Sequence, residues 1–283
     1  MKTLLRILPA IFGSLIAGAA VAQTWTSIDY PGAAATAAFG INDRGDVVGR
    51  WDDVDGNVHG FLLRHGQFTS IDVPGGTFTA PRAVNDAGDV AGRWVDADGV
   101  PRGFVLRKGV FTSVDYPEAI DTRVRSIDNL GRITGNFTRD DGHEHGFLLD
   151  ASGFHQIDYP GSESTDAWCI NPRGEIVGDW SDANAVFGYV LVNGTFTNVA
   201  FPGALDTTIR GINPRGDLVG FDDTADGSGH GIVGSLSSLT SFDFPGEFNT
   251  GGFAINAGGD VVGTYDDADG NGHGFVWTRS GRP

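Results

Sequence analysis

The sequence predicts an all-β protein folded as a six-bladed β-propeller, closed by an N-terminal strand that completes the last blade. Three observations predict it. Four landmarks recur six times each at a spacing of 43 residues, with one residue missing from the fourth copy between Gly178 and Gly188. Each copy divides into four short segments rich in β-branched and aromatic residues and bounded by Asx and Gly turns. Four strands in about 40 to 50 residues is the blade signature of a propeller. The copies are also out of phase with the chain. It opens on an isolated strand, Trp25 to Asp29, and ends after the third strand of the last copy, near Trp277. The first strand can therefore complete the last blade and hide the sheet edges. A parallel β-helix, which needs shorter coils, ranks second.

The landmarks follow one order in every copy. A strand ends in a turn at proline, as in Thr26 to Pro31, and a lone threonine follows five residues later: Thr36, Thr79, Thr122, Thr165, Thr207 and Thr250. An Ile/Val-Asn/Asp pair then opens a G-D-V-V-G stretch, first at Ile41-Asn42 and last at Ile255-Asn256. H-G-F closes the set, first at His59-Gly60-Phe61. Asn42 to Gly45 and Asp53 to Gly56 read as hairpin turns with Gly taking the positive φ. Gly40, Ala83, Ser126, Cys169, Gly211 and Ala254 share one position and are all small, as expected where innermost strands converge on an axis.

Residues 1–22 read as a secretory signal peptide: Lys2 and Arg6, an apolar run from Ile7 to Ala20, and Ala20-Val21-Ala22 before Gln23. The run is short for a bilayer span, and Pro9 and Gly13 weaken it as a helix. Residues 23–283 then form a single domain, secreted or periplasmic. Losing Lys2 and Arg6 takes the net charge from −17 to −19. A chain that acidic repels phosphate backbones and anionic bilayers, which argues against nucleic-acid and membrane partners. Cys169 is the sole cysteine, so the sequence holds no disulfide and no thiolate cluster, and it reads as a packing residue.

A-x-x-I-N-x-x-G-x-V-V-G followed by G-x-x-H-G-F-L resembles the extracellular repeats of the HAF family, over nearly all of residues 23–283. Here Gly stands in the middle of the H-A-F triplet, and copies two and four lack the His. The resemblance implies secretion and carries no agreed activity.

With six copies in one chain, positions shared by all copies serve the blade and positions that differ are free to serve a ligand. The repeated Asp29, Asp72, Asp115, Asp158 and Asp243, the threonines, the histidines and Trp51, Trp94 and Trp180 are expected to form a buried polar network in each blade. The D-x-D-G hairpins, such as Asp53/Asp55 and Asp267/Asp269, offer carboxylates but too few oxygens for calcium. His143-Glu144-His145 lacks a third zinc ligand. No metal and no cofactor is expected.

The position three residues after the threonine is the variable one: Phe39, Arg82, Arg125, Trp168, Arg210 and Phe253. These six are the candidate ligand-binding residues and are expected to ring one mouth of a central channel. Arginine forks carboxylates, and aromatic faces stack on rings. Phe78, Asp121, Glu163, Asp206 and Phe248 are expected on the same side. The bland alternative is that the arginines pair with blade carboxylates while the aromatics fill space. No Ser-His-Asp order, nucleophile elbow or phosphate loop is present. The expectation is a monomeric binding module for an anionic or carbohydrate-like ligand, or for another extracellular protein. The alternative is a lyase or hydrolase on an acidic saccharide, with His143 or His155 as base and a strongly shifted titratable group beside the arginines.

Overall fold

The computed structural model describes residues 23–225 and 227–279, so the leader expected at 1–22 lies outside the described residues. These residues form 24 strands and no helix, and so no helix long and apolar enough to cross a membrane. After β1 (Gln23–Ile28) the first repeat gives β2 (Ala35–Ile41), β3 (Val47–Asp52), β4 (Val58–Arg64) and β5 (Gln67–Ile71). The second gives β6 (Phe78–Val84), β7 (Val90–Val95), β8 (Pro101–Arg107) and β9 (Val110–Val114). The third is β10 (Asp121–Ile127), β11 (Ile133–Thr138), β12 (Glu144–Asp150) and β13 (Gly153–Ile157). The fourth is β14 (Ser164–Ile170), β15 (Ile176–Ser181), β16 (Val186–Val192) and β17 (Thr195–Val199). The fifth is β18 (Asp206–Ile212), β19 (Leu218–Asp223), β20 (Gly229–Ser235) and β21 (Ser238–Phe242). The last is β22 (Phe248–Ile255), β23 (Val261–Asp266) and β24 (Gly272–Arg279).

Every repeat is an antiparallel meander in chain order. Repeats three to five are separate four-stranded sheets, while repeats one and two join into one sheet through a single parallel pair, Val58 with Phe78. The last three strands acquire their fourth from the other end of the chain: β1 pairs antiparallel with β24 from Gln23↔Arg279 to Ile28↔Gly274.

The core lies between neighbouring repeats. Val105 of the second packs with Val124 and Phe147 of the third, and Val262 of the last and Ile28 of β1 pack with Ala38 and Phe61 of the first. The third residue of the H-G-F landmark is the anchor: Phe61, Phe104, Phe147, Tyr189, Ile232 and Phe275 are at most 1% exposed. Burying an aromatic ring of that kind contributes about 2 to 3 kcal/mol. The innermost strands do converge where the small residues were noted. A Cβ on Gly40 would stand 2.6 Å from the Arg82 carbonyl oxygen and 2.8 Å from the Ala83 Cα of the next repeat.

Successive repeats are joined by buried side-chain amides. Asn42 Nδ2 donates to the carbonyl of Asn85 (3.1 Å) and Asn85 Nδ2 to that of Asp128 (3.2 Å). Asn171 donates to Asn213 (3.1 Å), Asn213 to Asn256 (3.3 Å), and Asn256 back to Asn42 (3.3 Å). Asp128 has no amide hydrogen to give. Arg132, held by the Asp128 carboxylate at 2.7 Å, supplies the missing donor and reaches the Asn171 carbonyl at 2.9 Å. The same asparagines shape the turns that follow them, since Asn42 Oδ1 accepts the N–H groups of Arg44 and Asp46.

A buried carbonyl left without its donor costs about 1 to 3 kcal/mol. Asn256→Ala removes the link between the last and first repeats together with its own turn bonds. It should lower stability in urea unfolding by about 3 kcal/mol. Asn57→Ala, at an exposed turn, should change it by less than about 1 kcal/mol.

Candidate functional site

Each innermost strand carries a β-bulge at one place. The register shifts fall between Ala38 and Gly40, Pro81 and Ala83, Val124 and Ser126, Ala167 and Cys169, Ile209 and Gly211, and Gly252 and Ala254. The skipped residues are Phe39, Arg82, Arg125, Trp168, Arg210 and Phe253. A bulged residue has no cross-strand partner and its side chain is re-aimed. All six line one central cavity of about 130 Å³. Its other lining residues lie beyond them toward the Asn42-type turns, among them Cys169, whose thiol pKa burial pushes up. The six therefore form the floor of the cavity.

Cations and rings alternate across that floor. The Arg82 guanidinium lies 3.9 Å from the Phe39 ring centre, and those of Arg125 and Arg210 lie 3.8 Å and 3.4 Å from the Trp168 ring centre. Phe253 meets Phe39 edge to face at 5.3 Å. Around the ring, only the junction of Arg82 with Arg125 brings cation to cation with no ring contact recorded between them among the described residues. The arginines differ in how they are compensated. Arg125 Nε donates to Asn136 Oδ1 at 3.0 Å and its Nη2 lies 3.8 Å from Asp166. Arg210 is buried, which lowers its pKa to about 10 against the opposing pull of Asp179. Burial drives the pKa of Arg82 well down, and Arg125, Arg93, Arg210 and Arg50 add to that shift. A guanidinium stays charged in a protein, so this direction expresses a buried charge without an anion.

Two of the three arginines thus have carboxylate neighbours and Arg82 does not, so the pairing expected of them as structural residues holds for part of the set. Trp168 also donates from Nε1 to Asp179 Oδ2 at 2.7 Å. Asp166 and Asp179 face each other in the β14–β15 register. Burial raises both carboxyl pKa values above the ordinary range, and for Asp166 the charge of Asp179 adds to it. The sequence reading missed this pair, together with Arg93 and Asn136. All but Asp166 occupy a second variable position, Arg50, Arg93, Asn136, Asp179, Phe221 and Thr264, which comparison of the copies could have found.

Several expectations need correction. Phe78, Asp121, Asp206 and Phe248 open the innermost strands and Glu163 precedes one, so they stand beyond the floor and line none of the cavity. His143 is exposed, and His155 sits on the fourth strand of its repeat, bonded to Ser152 and Asp150, so neither reaches the arginines. The expected buried network separates into parts. Each threonine is buried and accepts a turn N–H, as Thr36 does from Tyr30 at 2.9 Å. The histidines form exposed pairs with strand-end aspartates, such as His59 with Asp72 at 3.0 Å, and Arg102 takes that place in repeat two. Rings stack between, with Tyr30 4.2 Å from Trp51 and Trp51 4.5 Å from His59. The separation follows from solvent: strand-end carboxylates stay hydrated, and only the threonine sits where a buried N–H needs an acceptor.

The D-x-D-G carboxylates are occupied by their own turns. Asp53 Oδ1 accepts the N–H groups of Asp55 and Asn57. Among the described residues no group of three His, Cys, Asp or Glu side chains is arranged to hold a metal ion.

No protein-family model matches the sequence, and no curated protein matches it. Solved structures do. A triple arginine-to-alanine mutant of AofleA from Arthrobotrys oligospora shares 10% identity at a TM-score of 0.56, over 92% of this chain and 94% of that one. The Aleuria aurantia lectin, described as a six-bladed propeller with a fucose recognition mode, shares 9% at 0.54, over 88% and 97%. TolB from Acinetobacter baumannii shares 10% at 0.58, over 88% of this chain and 65% of that one. The fold is a β-propeller.

Titration of the propeller has a definite sign. His273 bridges Asp29 (2.6 Å) and Asp267 (3.2 Å); burial opposes its charge, but the two carboxylates outweigh this and raise its pKa. Its contribution is full below about pH 6.5 and is lost above. The raised Asp166 and Asp179 likewise cost stability as pH climbs above about 4. Asp267, lowered chiefly by its bonds to Asn271, loses its contribution below about pH 4. Melting temperature should therefore peak on the acid side and decline toward pH 8. Asp166→Asn should flatten the earlier part of that decline and His273→Gln the later part, and unchanged slopes in both variants would refute the assignment.

Proposed function

We propose that the chain is an exported six-bladed propeller, closed by β1, whose central cavity binds a carbohydrate or anionic ligand over the floor of bulge side chains. Closure is supported by the β1–β24 pairing and the bond from Asn256 to Asn42. Export is supported by the charged and apolar segments of residues 1–22 and by the resemblance to HAF repeats. A monomer without a cofactor, with no nucleic-acid or membrane partner, belongs to the same proposal.

One observation carries the binding reading. Six equivalent bulges aim chemically different side chains into one cavity, while the two positions that follow hold a small residue and then Ile or Val in every repeat. Packing in equivalent surroundings does not call for such divergence. Trp168 between Arg125 and Arg210 presents a fixed aromatic plane flanked by forked donors, the pair of features that grips a sugar ring and its carboxylate. The lectin neighbours described with fucose or a fucoside agree with a saccharide ligand, although their similarity speaks for the fold.

A catalytic reading on an acidic saccharide is favoured by one feature, the buried Asp166 carboxyl beside Arg125, whose Oδ1 has no hydrogen-bond partner among the described residues. Turnover assays with uronate-containing polysaccharides separate the two readings.

The binding reading is tested on a glycan array and by calorimetry with the mature chain. Arg82, Arg125 and Arg210 replaced together by Gln should weaken ligand binding more than tenfold while the melting temperature stays within about 5 °C. Trp168→Ala should abolish binding and also cost about 3 kcal/mol, since Asp179 loses its donor and two guanidinium groups lose their stacking plane. A triple variant that binds as the parent does would sink the reading.

A further inference from the structure

The bulge side chain has a fixed neighbour, the second-strand residue two places along the ladder. In repeat three that pair is Arg125 with Asn136, joined by a hydrogen bond of 3.0 Å. In repeat four it is Trp168 with Asp179, joined at 2.7 Å. In repeat five Arg210 lies 5.1 Å from the Phe221 ring centre. Donor meets acceptor, or cation meets ring. Repeat two breaks the rule: Arg82 is a bulge residue, and Ala80↔Arg93 register puts Arg93 in the place of Asn136 and Asp179. The place that holds an acceptor in repeats three and four holds a second donor here.

Both guanidinium planes are held by aromatic rings on their faces, Arg82 at 3.9 Å from Phe39 and Arg93 at 4.8 Å from Phe78. Their edges are left over. The Nε of each is buried without a hydrogen-bond partner, and neither arginine forms an ion pair with a carboxylate among the described residues. Arg50, at the equivalent position of repeat one, adds a third like charge nearby; its own contact with Asp52 is long, at 3.8 Å. Asp121 attracts Arg93 without forming an ion pair with it, so the like charges stay poorly compensated, and an acceptor with two or more oxygens would satisfy both forks at once.

We propose that Arg82 of the cavity floor and its ladder neighbour Arg93 form an oxyanion site, taking a carboxylate or sulfate-type group in a two-fork grip. The inference rests on the reading of the channel as a ligand site and fixes where the negative group of the ligand sits. Two sources share this chemistry, a free inorganic oxyanion and the acid group of a uronic acid or sulfated sugar. Water alone would bridge the two arginines without offsetting their charge.

The test uses the mature protein in chloride at constant ionic strength, titrated with sodium sulfate and with sodium glucuronate by calorimetry and thermal shift. Saturable binding and a rise in melting temperature are expected. Arg93→Asn, which recreates the arrangement of repeat three, should weaken sulfate binding at least tenfold and melt no lower than the parent in chloride. Arg82→Gln should lose the same response, which keeps the test valid should either variant fold poorly. Sulfate binding without glucuronate binding identifies a free tetrahedral oxyanion. Binding of both identifies the acid group of a sugar. No saturable response of the parent to either salt overturns the site, as does an Arg93→Asn variant that binds sulfate like the parent. The same preparation on a glycan array keeps the two readings apart. Glycan capture without an oxyanion response refutes this site alone. An oxyanion response without any glycan capture leaves the site standing and refutes the carbohydrate reading.

Discussion

The fold depends on one repeated contact, the buried amide that each repeat extends to the backbone of the next. Strand pairing inside a meander fixes only that meander, and the apolar layers between repeats fix distance but not phase. A hydrogen bond from Asn42 to the Asn85 carbonyl fixes phase, because it demands one rotation of the second repeat against the first. Six such demands in a row leave little freedom, and the last, from Asn256 to Asn42, must be met by a chain 214 residues away. The Asp128 exception shows how strict the requirement is. Losing the amide hydrogen there is tolerated because Arg132 folds onto the carboxylate and gives the donor in its stead.

That rigidity is what allows the bulges to differ. An unpaired residue in each innermost strand escapes the ladder, so its side chain can change without disturbing pairing, turn or amide link. The repeat is thus conservative at its joints and free at its inward points, and the six bulge residues converge because the joints hold them there. A site built in this way is asymmetric on a nearly symmetric frame. Repeats one to three contribute Phe39 with Arg50, Arg82, Arg93, Arg123 and Arg125, and repeats four to six contribute Asp166, Asp179, Trp168, Phe221 and Phe253 with the single cation Arg210.

Much of this was legible in the sequence, and the reasons for the remainder are physical. The period, the four strands per copy and the small residues at Gly40 and its equivalents are local patterns, written in propensity and size. The variable set from Phe39 to Phe253 was legible by comparing copies. The bulge was not, since one extra residue in a strand leaves alternation looking intact on both sides of it. Without the bulge there was no way to pair Arg125 with Asn136 or Arg82 with Arg93. The histidines differ from expectation for a related reason: a recurrent polar residue reads as buried, whereas His59 and Asp72 meet at a strand end in contact with water.

Charge distribution ties the parts together. The chain has 36 acidic against 19 basic side chains, yet arginines are concentrated at the channel positions of three consecutive repeats. An acidic exterior discourages association with other acidic surfaces, and a narrow channel between low-dielectric walls strengthens the field of the cations inside it. The balance at the floor is then local. Arg125 and Arg210 lean on Asp166 and Asp179, and burial meets that group of four with charge of both signs. At Arg82 every charge that acts on it is positive, and at Arg93 only Asp121 opposes three arginines. Repeats three and four set a donor against an acceptor at this position, whereas repeat two sets two guanidinium groups there, and the proposed oxyanion supplies the acceptor that they lack.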